Sequence, residues 1–132
     1  MNNKQVHLEM IQGVINRLSH NSFLLKGWTV VLVSALITLG AKEKEALLVC
    51  LAYFPAIAFW SLDAYFLWQE RLFRQLYDFV RQLPDKDIDY SMDIRQADIR
   101  GITLNTVFFS NTLNLFHGVI LASIILVMWV TF

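Results

Sequence analysis

Hydrophobic residues in this chain are concentrated in three long runs, and most charged residues lie between the runs. The runs cover residues 23–41, 46–68 and 106–132, and each is apolar all round rather than along one stripe. A helix needs about 20 residues to cross a hydrocarbon core of about 30 Å. The pattern therefore predicts an all-α integral membrane protein with three transmembrane helices in a single membrane domain, residues 1–132.

Two further segments have helical periodicity with a polar face. Residues 1–22 contain the sequence VHLEMIQGVINRL, whose apolar positions recur at steps of three and four, as in an amphipathic helix. Residues 69–83 repeat Leu and Phe at the same spacing directly after the second run, so we expect the second helix to continue beyond the membrane until the following proline ends it. The rest of residues 69–105 is predicted to be a polar loop with a short helix capped by Ser91 or Asp93.

The distribution of Lys and Arg predicts the orientation. Of eleven basic residues, only Lys42 and Lys44 would lie on one side of the membrane, and the other nine would lie on the opposite side. Basic residues favour the cytoplasmic side of a membrane protein. The bias predicts a bacterial inner (cytoplasmic) membrane protein with a cytoplasmic N-terminus, an external C-terminus, and residues 69–105 in the cytoplasm.

Composition and motifs argue against an enzyme. The chain is 56% hydrophobic with a mean hydropathy of +0.47, and its formal net charge is zero, which disfavours a general nucleic-acid binder. The sequence has no Gly-rich phosphate loop, no paired Cys or Cys-His spacing and no serine in a nucleophile turn, so we expect no catalytic residue, cofactor or metal. An acidic segment beginning at Asp85 spaces its carboxylates like a calcium loop, but Tyr90 replaces the required Gly and Gln96 the required Glu, which favours a solvated acidic loop.

Four arginines on the predicted cytoplasmic helices are the candidate ligand-binding residues: Arg17, Arg71, Arg74 and Arg81. A guanidinium group can clamp a phosphate or a carboxylate with two parallel hydrogen bonds. The alternative is that these arginines are positive-inside anchors, partly paired with Glu70 and Asp78. Assembly would favour ligand binding, because a ring of copies would concentrate the guanidinium groups around one axis.

Polar residues inside the predicted spans form a second set of candidates. Ser110, Asn114 and His117 share one face of the third span, and Thr106 extends that face towards the cytoplasm. Such residues are costly in lipid and usually face protein or water. They form either a pore-lining strip or interhelical hydrogen bonds.

A charged pair is predicted near the cytoplasmic end of the spans. Asp63 is the one ionisable group within the second run, and Lys26 should lie at a similar depth in the first. Opposite charges at one depth favour an intramembrane ion pair, and the alternative is a role in ion passage.

The chain also resembles a known group of proteins. The segments HLEMIQGVINRLSHNSFLLKGWTVVLVSAL (7–36), FPAIAFWSLDAYFLWQERLFRQLYDFVR (54–81) and DIDYSMD (87–93) resemble a widespread family of small bacterial three-span membrane proteins. Within it, the chain is most similar to the membrane effectors of nucleotide-signalling antiphage systems, the Hailong type. The resemblance covers most of the chain and includes no catalytic motif.

The resemblance implies a function. In the Hailong type, a nucleotidyltransferase partner makes an oligodeoxyadenylate that holds a tetrameric membrane channel closed. We therefore expect an oligomeric channel-type effector of antiphage defence, with a homo-tetramer favoured, gated by an anionic nucleotide or oligonucleotide at the cytoplasmic arginines. The alternative hypothesis is a membrane anchor or scaffold that binds a soluble partner through its cytoplasmic amphipathic helices.

Overall fold

A computed structural model describes residues 2–132, and within that range all regular secondary structure is helical. Five α-helices follow one another in the chain: α1 (Asn3–Lys42), α2 (Ala46–Leu51), α3 (Tyr53–Gln82), α4 (Leu104–Phe108) and α5 (Asn111–Thr131). Three segments, Asn3–Lys42, Ala46–Gln82 and Asn111–Thr131, are long and apolar enough to cross a membrane. The predicted all-α fold with three candidate spans is therefore confirmed.

Helix α1 is continuous over 40 residues, although the sequence predicted a boundary near residue 22 between an amphipathic helix and the first span. Asn21 and Ser22 are good helix-starting residues, but only when their side chains bond a backbone N–H group at the start of a helix. The Ser22 hydroxyl instead donates to Asp63 on α3. Because that side chain bonds a neighbouring helix, nothing ends α1 at this point, and its own start is capped by Asn2.

The second span has a short interruption, since α2 ends at Leu51 and α3 begins at Tyr53. Pro55 has no backbone N–H, and in the first turn of α3 that group would be unpaired in any helix. At its other end α3 stops at Gln82, because Leu83 precedes Pro84 and is held in an extended conformation with ψ of 144°.

The part of α3 beyond residue 68 packs against the start of α1. We call residues 3–22 of α1 and 69–82 of α3 the helical extension. Its core joins Ile11 and Ile15 to Leu76 and Val80, all at most 1% exposed. Burying such side chains contributes about 1.5–3 kcal/mol each, so the predicted apolar stripes are a packing surface within one chain.

A loop connects the extension to the third span and contains two 3₁₀ turns, Asp85–Asp87 and Ile94–Gln96. The predicted short helix is the second of these turns, and Asp93 caps it by accepting a hydrogen bond from the Arg95 backbone N–H. The loop lies against the extension, where Ile88 joins the extension core.

The third span is broken between α4 and α5, at Phe109 and Ser110. A break in a membrane helix frees carbonyl groups that need other partners. Here the Trp60 indole N–H donates to the Phe108 carbonyl at 3.0 Å, and the Asn114 amide donates to the Phe109 carbonyl at 2.8 Å. These side chains therefore make the interruption tolerable in an apolar setting.

Candidate functional site

Polar side chains from all three candidate spans meet at one point. Asp63 of α3 is fully buried and accepts hydrogen bonds from Ser22 and Lys26 of α1 and from His117 of α5. The Lys26 Nζ atom lies 2.6 Å from Asp63 Oδ2, and the His117 Nε2 atom lies 2.8 Å from the same oxygen. We call these four residues the buried polar cluster.

Helix geometry explains how α1 supplies two of the four members. Ser22 and Lys26 are four residues apart, so they lie one turn apart on the same face of the helix. The Lys26 ammonium also donates to the Ser22 hydroxyl at 2.8 Å. Ala64 next to Asp63 is fully buried and packs in one cluster with Val107 of α4 and Leu113 of α5.

The hydrogen bond to Asp63 determines the tautomer of His117. A carboxylate only accepts hydrogen bonds, so Nε2 carries a proton and donates it to Asp63. The other ring nitrogen, Nδ1, is buried and has no partner among residues 2–132.

Aromatic rings hold the histidine in place. The Trp60 ring stacks on the His117 ring with centroids 5.5 Å apart and an interplanar angle of 7°. The Phe108 ring also stacks on Trp60, with centroids 4.7 Å apart, and the Phe116 ring meets His117 edge to face at 5.0 Å. The histidine therefore has little freedom to rotate while the three helices remain packed.

The buried polar cluster joins the Asp63 carboxylate to the Lys26 ammonium as an ion pair. A buried charge is tolerated when it is paired and hydrogen-bonded, and it becomes strongly unfavourable when its partner leaves. The Lys26 side chain is 24% exposed, whereas Asp63 has no exposed area, so the carboxylate depends most on the contact. The arrangement therefore acts as a clamp between the three helices, which any relative movement of α1 and α3 would have to open.

The candidate pore-lining residues have different surroundings. His117 belongs to the buried polar cluster, and Asn114 is exposed but bonded to the break between α4 and α5. The Thr106 hydroxyl is exposed and lies 2.7 Å from that of Thr103. Ser110 has a buried hydroxyl without a partner within residues 2–132. Three of the four groups are thus hydrogen-bonded inside one chain.

The candidate arginines lie on the helical extension. Arg74 pairs with Glu70 at 3.3 Å and Arg81 with Asp78 at 3.2 Å, and both guanidinium groups are more than half exposed. Within residues 2–132, neither Arg17 nor Arg71 makes an ion pair; Arg17 is exposed and Arg71 is half-buried. The arginines are therefore accessible to an anion.

A cavity of about 220 Å³ lies between the two helices of the extension, beside Arg74. Its lining residues are Gln12, Ile15, Arg74, Tyr77 and Asp78. The cavity combines one guanidinium group with a carboxylate and an amide, so an anion bound to Arg74 would compete with Glu70 for the guanidinium group and would be repelled by the Asp78 carboxylate.

The loop arginines are bound to their neighbours. Arg95 donates to both carboxylate oxygens of Asp93, with its Nη2 atom 2.8 Å from Oδ2, and these hydrogen bonds lower the pKa of Asp93 to about 2. Arg100 binds Asp98 in the same way and lowers the pKa of that carboxyl. Both guanidinium groups are therefore engaged, unlike those of Arg17 and Arg71.

Sequence reasoning missed two residues of the site. Ser22 has the residue type of a helix start, but its position one turn before Lys26 places it on the face of α1 that meets Asp63. Trp60 had no signal in the sequence that linked it to His117, because their contact depends on how α3 and α5 are rotated about their axes. No group of three or more metal-binding side chains occurs among residues 2–132.

Comparison with protein-family models, with curated proteins and with solved structures found no match to this chain.

Proposed function

We propose that this chain is the subunit of an oligomeric membrane channel, held closed by an anionic ligand at its helical extension. The observation that carries this proposal is that α1 runs without interruption from the extension into its candidate span. Its 40 residues correspond to a rod of about 60 Å at about 1.5 Å per residue. A displacement at the extension would therefore reach the membrane directly.

Two contacts connect this rod to α3. The apolar core around Ile15 and Leu76 joins the helices in the extension, and the Lys26–Asp63 pair joins them at the end of the spans. A ligand can shift a conformational equilibrium only by its difference in affinity between the two states. An anion that bridges arginines of neighbouring copies would prefer one arrangement of α1 and α3, and so would favour one state of the channel.

The orientation follows from the basic residues. Lys42 and Lys44 lie at the turn between α1 and α2, at the opposite end of α1 from the extension, while the other nine basic residues lie towards the extension. Because basic residues favour the cytoplasmic side, we place the extension in the cytoplasm and the C-terminus outside a bacterial inner membrane.

The ligand in this proposal is phosphate-rich. A tetramer would bring four copies of Arg17, Arg71, Arg74 and Arg81 around a shared axis, and guanidinium groups bind phosphate with two parallel hydrogen bonds. The resemblance of the sequence to Hailong-type antiphage effectors supports an oligodeoxyadenylate, made by a nucleotidyltransferase partner, as that ligand. Antiphage defence by depolarisation of the infected cell is the biological role that follows.

One observation favours a second candidate, a membrane anchor that scaffolds a soluble partner. Asn114, His117 and Thr106 are hydrogen-bonded within one chain, as structural polar residues would be. The exposed arginines would then contact an acidic protein surface. The two candidates differ in whether the protein conducts ions at all.

Cells expressing the chain decide between them. The channel predicts that the membrane potential, followed with a voltage-sensitive dye, collapses in cells expressing the protein alone and is maintained when an inhibitory ligand is present. An anchor predicts an unchanged potential in both conditions. Western blotting of the membrane fraction controls for expression.

Binding tests the ligand separately. Fluorescence anisotropy of a labelled oligodeoxyadenylate with the purified protein should show that Arg74→Ala weakens binding by about tenfold or more, because one charge-assisted hydrogen bond contributes about 1.5–3 kcal/mol. Arg95→Ala is the matched control, since Arg95 lies in the loop outside the helical extension and its guanidinium group binds both carboxylate oxygens of Asp93, whereas Arg74 makes one longer contact with Glu70. Equal binding by both variants and the wild type would show that Arg74 does not contact the ligand.

A further inference from the structure

The cavity beside Arg74 is formed by both helices of the extension and lies within one chain. Helix α1 contributes Gln12 and Ile15 to its lining, and α3 contributes Arg74, Tyr77 and Asp78. The lining residues of each helix are at most four positions apart, so each helix presents them from one face. We call this space of about 220 Å³ the extension cavity.

The apolar part of the lining is held in place by the core of the extension. Ile15 is 1% exposed and belongs to that core, and the half-buried Tyr77 packs against it. An aromatic side chain that packing holds in place can serve as a platform on which a flat heterocycle stacks.

The polar part of the lining offers donors and acceptors side by side. The Gln12 amide donates one N–H to the Asn16 carbonyl oxygen at 3.0 Å, which leaves its second N–H and its own carbonyl oxygen without a partner among residues 2–132. The Arg74 guanidinium group makes one contact, at 3.3 Å to Glu70, and so keeps most of its N–H donors.

A carboxylate in the same cavity restricts the ligands that fit. The Asp78 Oδ1 atom lies 3.2 Å from Arg81 Nε, and the second carboxylate oxygen remains an acceptor. Like charges repel at short range, so a simple anion bound to Arg74 would meet an unfavourable charge. A ligand gains from both side chains only if it carries an N–H donor beside its anionic group.

A nucleotide whose base has an exocyclic amino group meets these requirements. Its phosphate supplies acceptor oxygens for Arg74, and its amino group supplies a donor for Asp78. The edge of such a base also places a ring-nitrogen acceptor next to the amino group, and a glutamine amide such as Gln12 complements that pair. A zwitterion without a ring would use the two charges but neither the Gln12 amide nor the Tyr77 ring.

We propose that the extension cavity binds one nucleotide of the ligand and selects its base by the amino group. Asp78 and Gln12 bind the edge of the base, which stacks on Tyr77, and Arg74 holds the adjacent phosphate. This inference rests on the proposed function, whose oligodeoxyadenylate has such a base, and it adds the residues that distinguish that base. A base without the amino group leaves the Asp78 carboxylate unpaired beside it and is bound less tightly.

Two probes that differ only in the amino group test the inference on the unaltered protein. One is a labelled oligodeoxyadenylate, and the other is an oligomer of equal length in which purine, with hydrogen in place of the amino group, replaces every adenine. Fluorescence anisotropy with the full-length purified protein should show that the adenine probe binds about tenfold more tightly, because a hydrogen bond to a charged group is lost with the purine probe.

Variants assign the preference to the cavity. Asp78→Ala should bring the ratio of the two affinities close to one, because it removes the acceptor, whereas Arg74→Ala should weaken both probes by the same factor and leave the ratio unchanged. Glu9→Ala is the matched control, since it removes an exposed carboxylate of the extension that does not line the cavity, and it should keep the wild-type ratio.

The possible failures are distinguishable. Equal affinity of the wild type for both probes, or a preference that Asp78→Ala retains in full, overturns the inference and leaves the phosphate-rich ligand of the proposed function in place. Binding of neither probe contradicts that ligand and, with it, the selection of a base.

Discussion

Replacing Asp63 by leucine tests whether the buried polar cluster clamps the three helices. The substitution removes the acceptor of three hydrogen bonds and leaves Lys26 without its counter-charge. Breaking a buried ion pair by removing one partner costs about 3–5 kcal/mol. Lys26 is 24% exposed and lies near the start of the apolar run 23–41, so its ammonium group keeps contact with solvent, and we expect the lower end, about 3 kcal/mol.

The double variant Asp63→Leu/Lys26→Met separates the ion pair from the other contacts. It removes both charges and leaves only the Ser22 and His117 donors unpaired, and hydrogen bonds between membrane helices contribute about 0.6 kcal/mol each on average. We therefore expect a loss of about 1 kcal/mol, so that the double variant is more stable than Asp63→Leu alone by about 2 kcal/mol.

The assay is unfolding of the purified protein in mild detergent by increasing mole fractions of SDS, followed by tryptophan fluorescence and circular dichroism. Ser61→Ala is the control, because this exposed hydroxyl of α3 bonds only its own helix, and its loss should change stability by less than about 0.5 kcal/mol. A double variant that is as unstable as Asp63→Leu alone, or an Asp63→Leu variant as stable as Ser61→Ala, would refute the clamp.

Three further predictions concern other parts of the fold. Ile15→Ala should destabilise the extension by about 2–5 kcal/mol, seen as a lower thermal midpoint, since the side chain is 1% exposed; an unchanged midpoint would mean that the extension does not pack as described. Gly40→Ala should disrupt the turn between α1 and α2, because the new Cβ would lie 2.5 Å from a side-chain atom of Val49 and 2.9 Å from its backbone nitrogen. Gly13→Ala is the contrasting change: nothing lies within 4 Å of the new Cβ, so the substitution should stabilise α1 by up to about 1 kcal/mol. In an NMR titration the pKa of Asp93 should be about 2 and should return towards 3.8 in Arg95→Ala. Because the folded pKa is lower than the unfolded one, any stability from this contact is present above the unfolded pKa and is lost as the pH falls from about 4 towards 2. An unshifted Asp93 pKa in the wild type would show that the contact does not form in solution.

Hydrophobic periodicity predicted the parts of the fold in which a helix has one apolar face and one polar face. Ile11 and Ile15 recur at helical spacing, as do Leu76 and Val80, so each pair specified which side of its helix is buried. The pairing of Lys26 with Asp63 could also be predicted, because the depth of each residue follows from the number of residues between it and the end of its apolar run.

Rotation about the helix axis could not be predicted in the same way. The runs are apolar all round, so hydropathy does not specify which side of α5 faces α3, and the contact of His117 with Asp63 and Trp60 depends on that rotation. The break between α4 and α5 has a similar origin. The segment from Phe108 to Asn111 contains neither Gly nor Pro, and the partners that satisfy its free carbonyls include Trp60, which is distant in sequence.

The central claim is that copies of this chain form a ligand-closed channel, and planar bilayer recording tests it most directly. Purified protein should give discrete conductance steps at constant voltage. An oligodeoxyadenylate added to the side that carries the extension should abolish them, and the same compound on the opposite side should have no effect. The contradicting result is an absence of conductance steps in bilayers with verified protein incorporation, together with a monomeric protein in detergent by light scattering. That result would favour the membrane anchor.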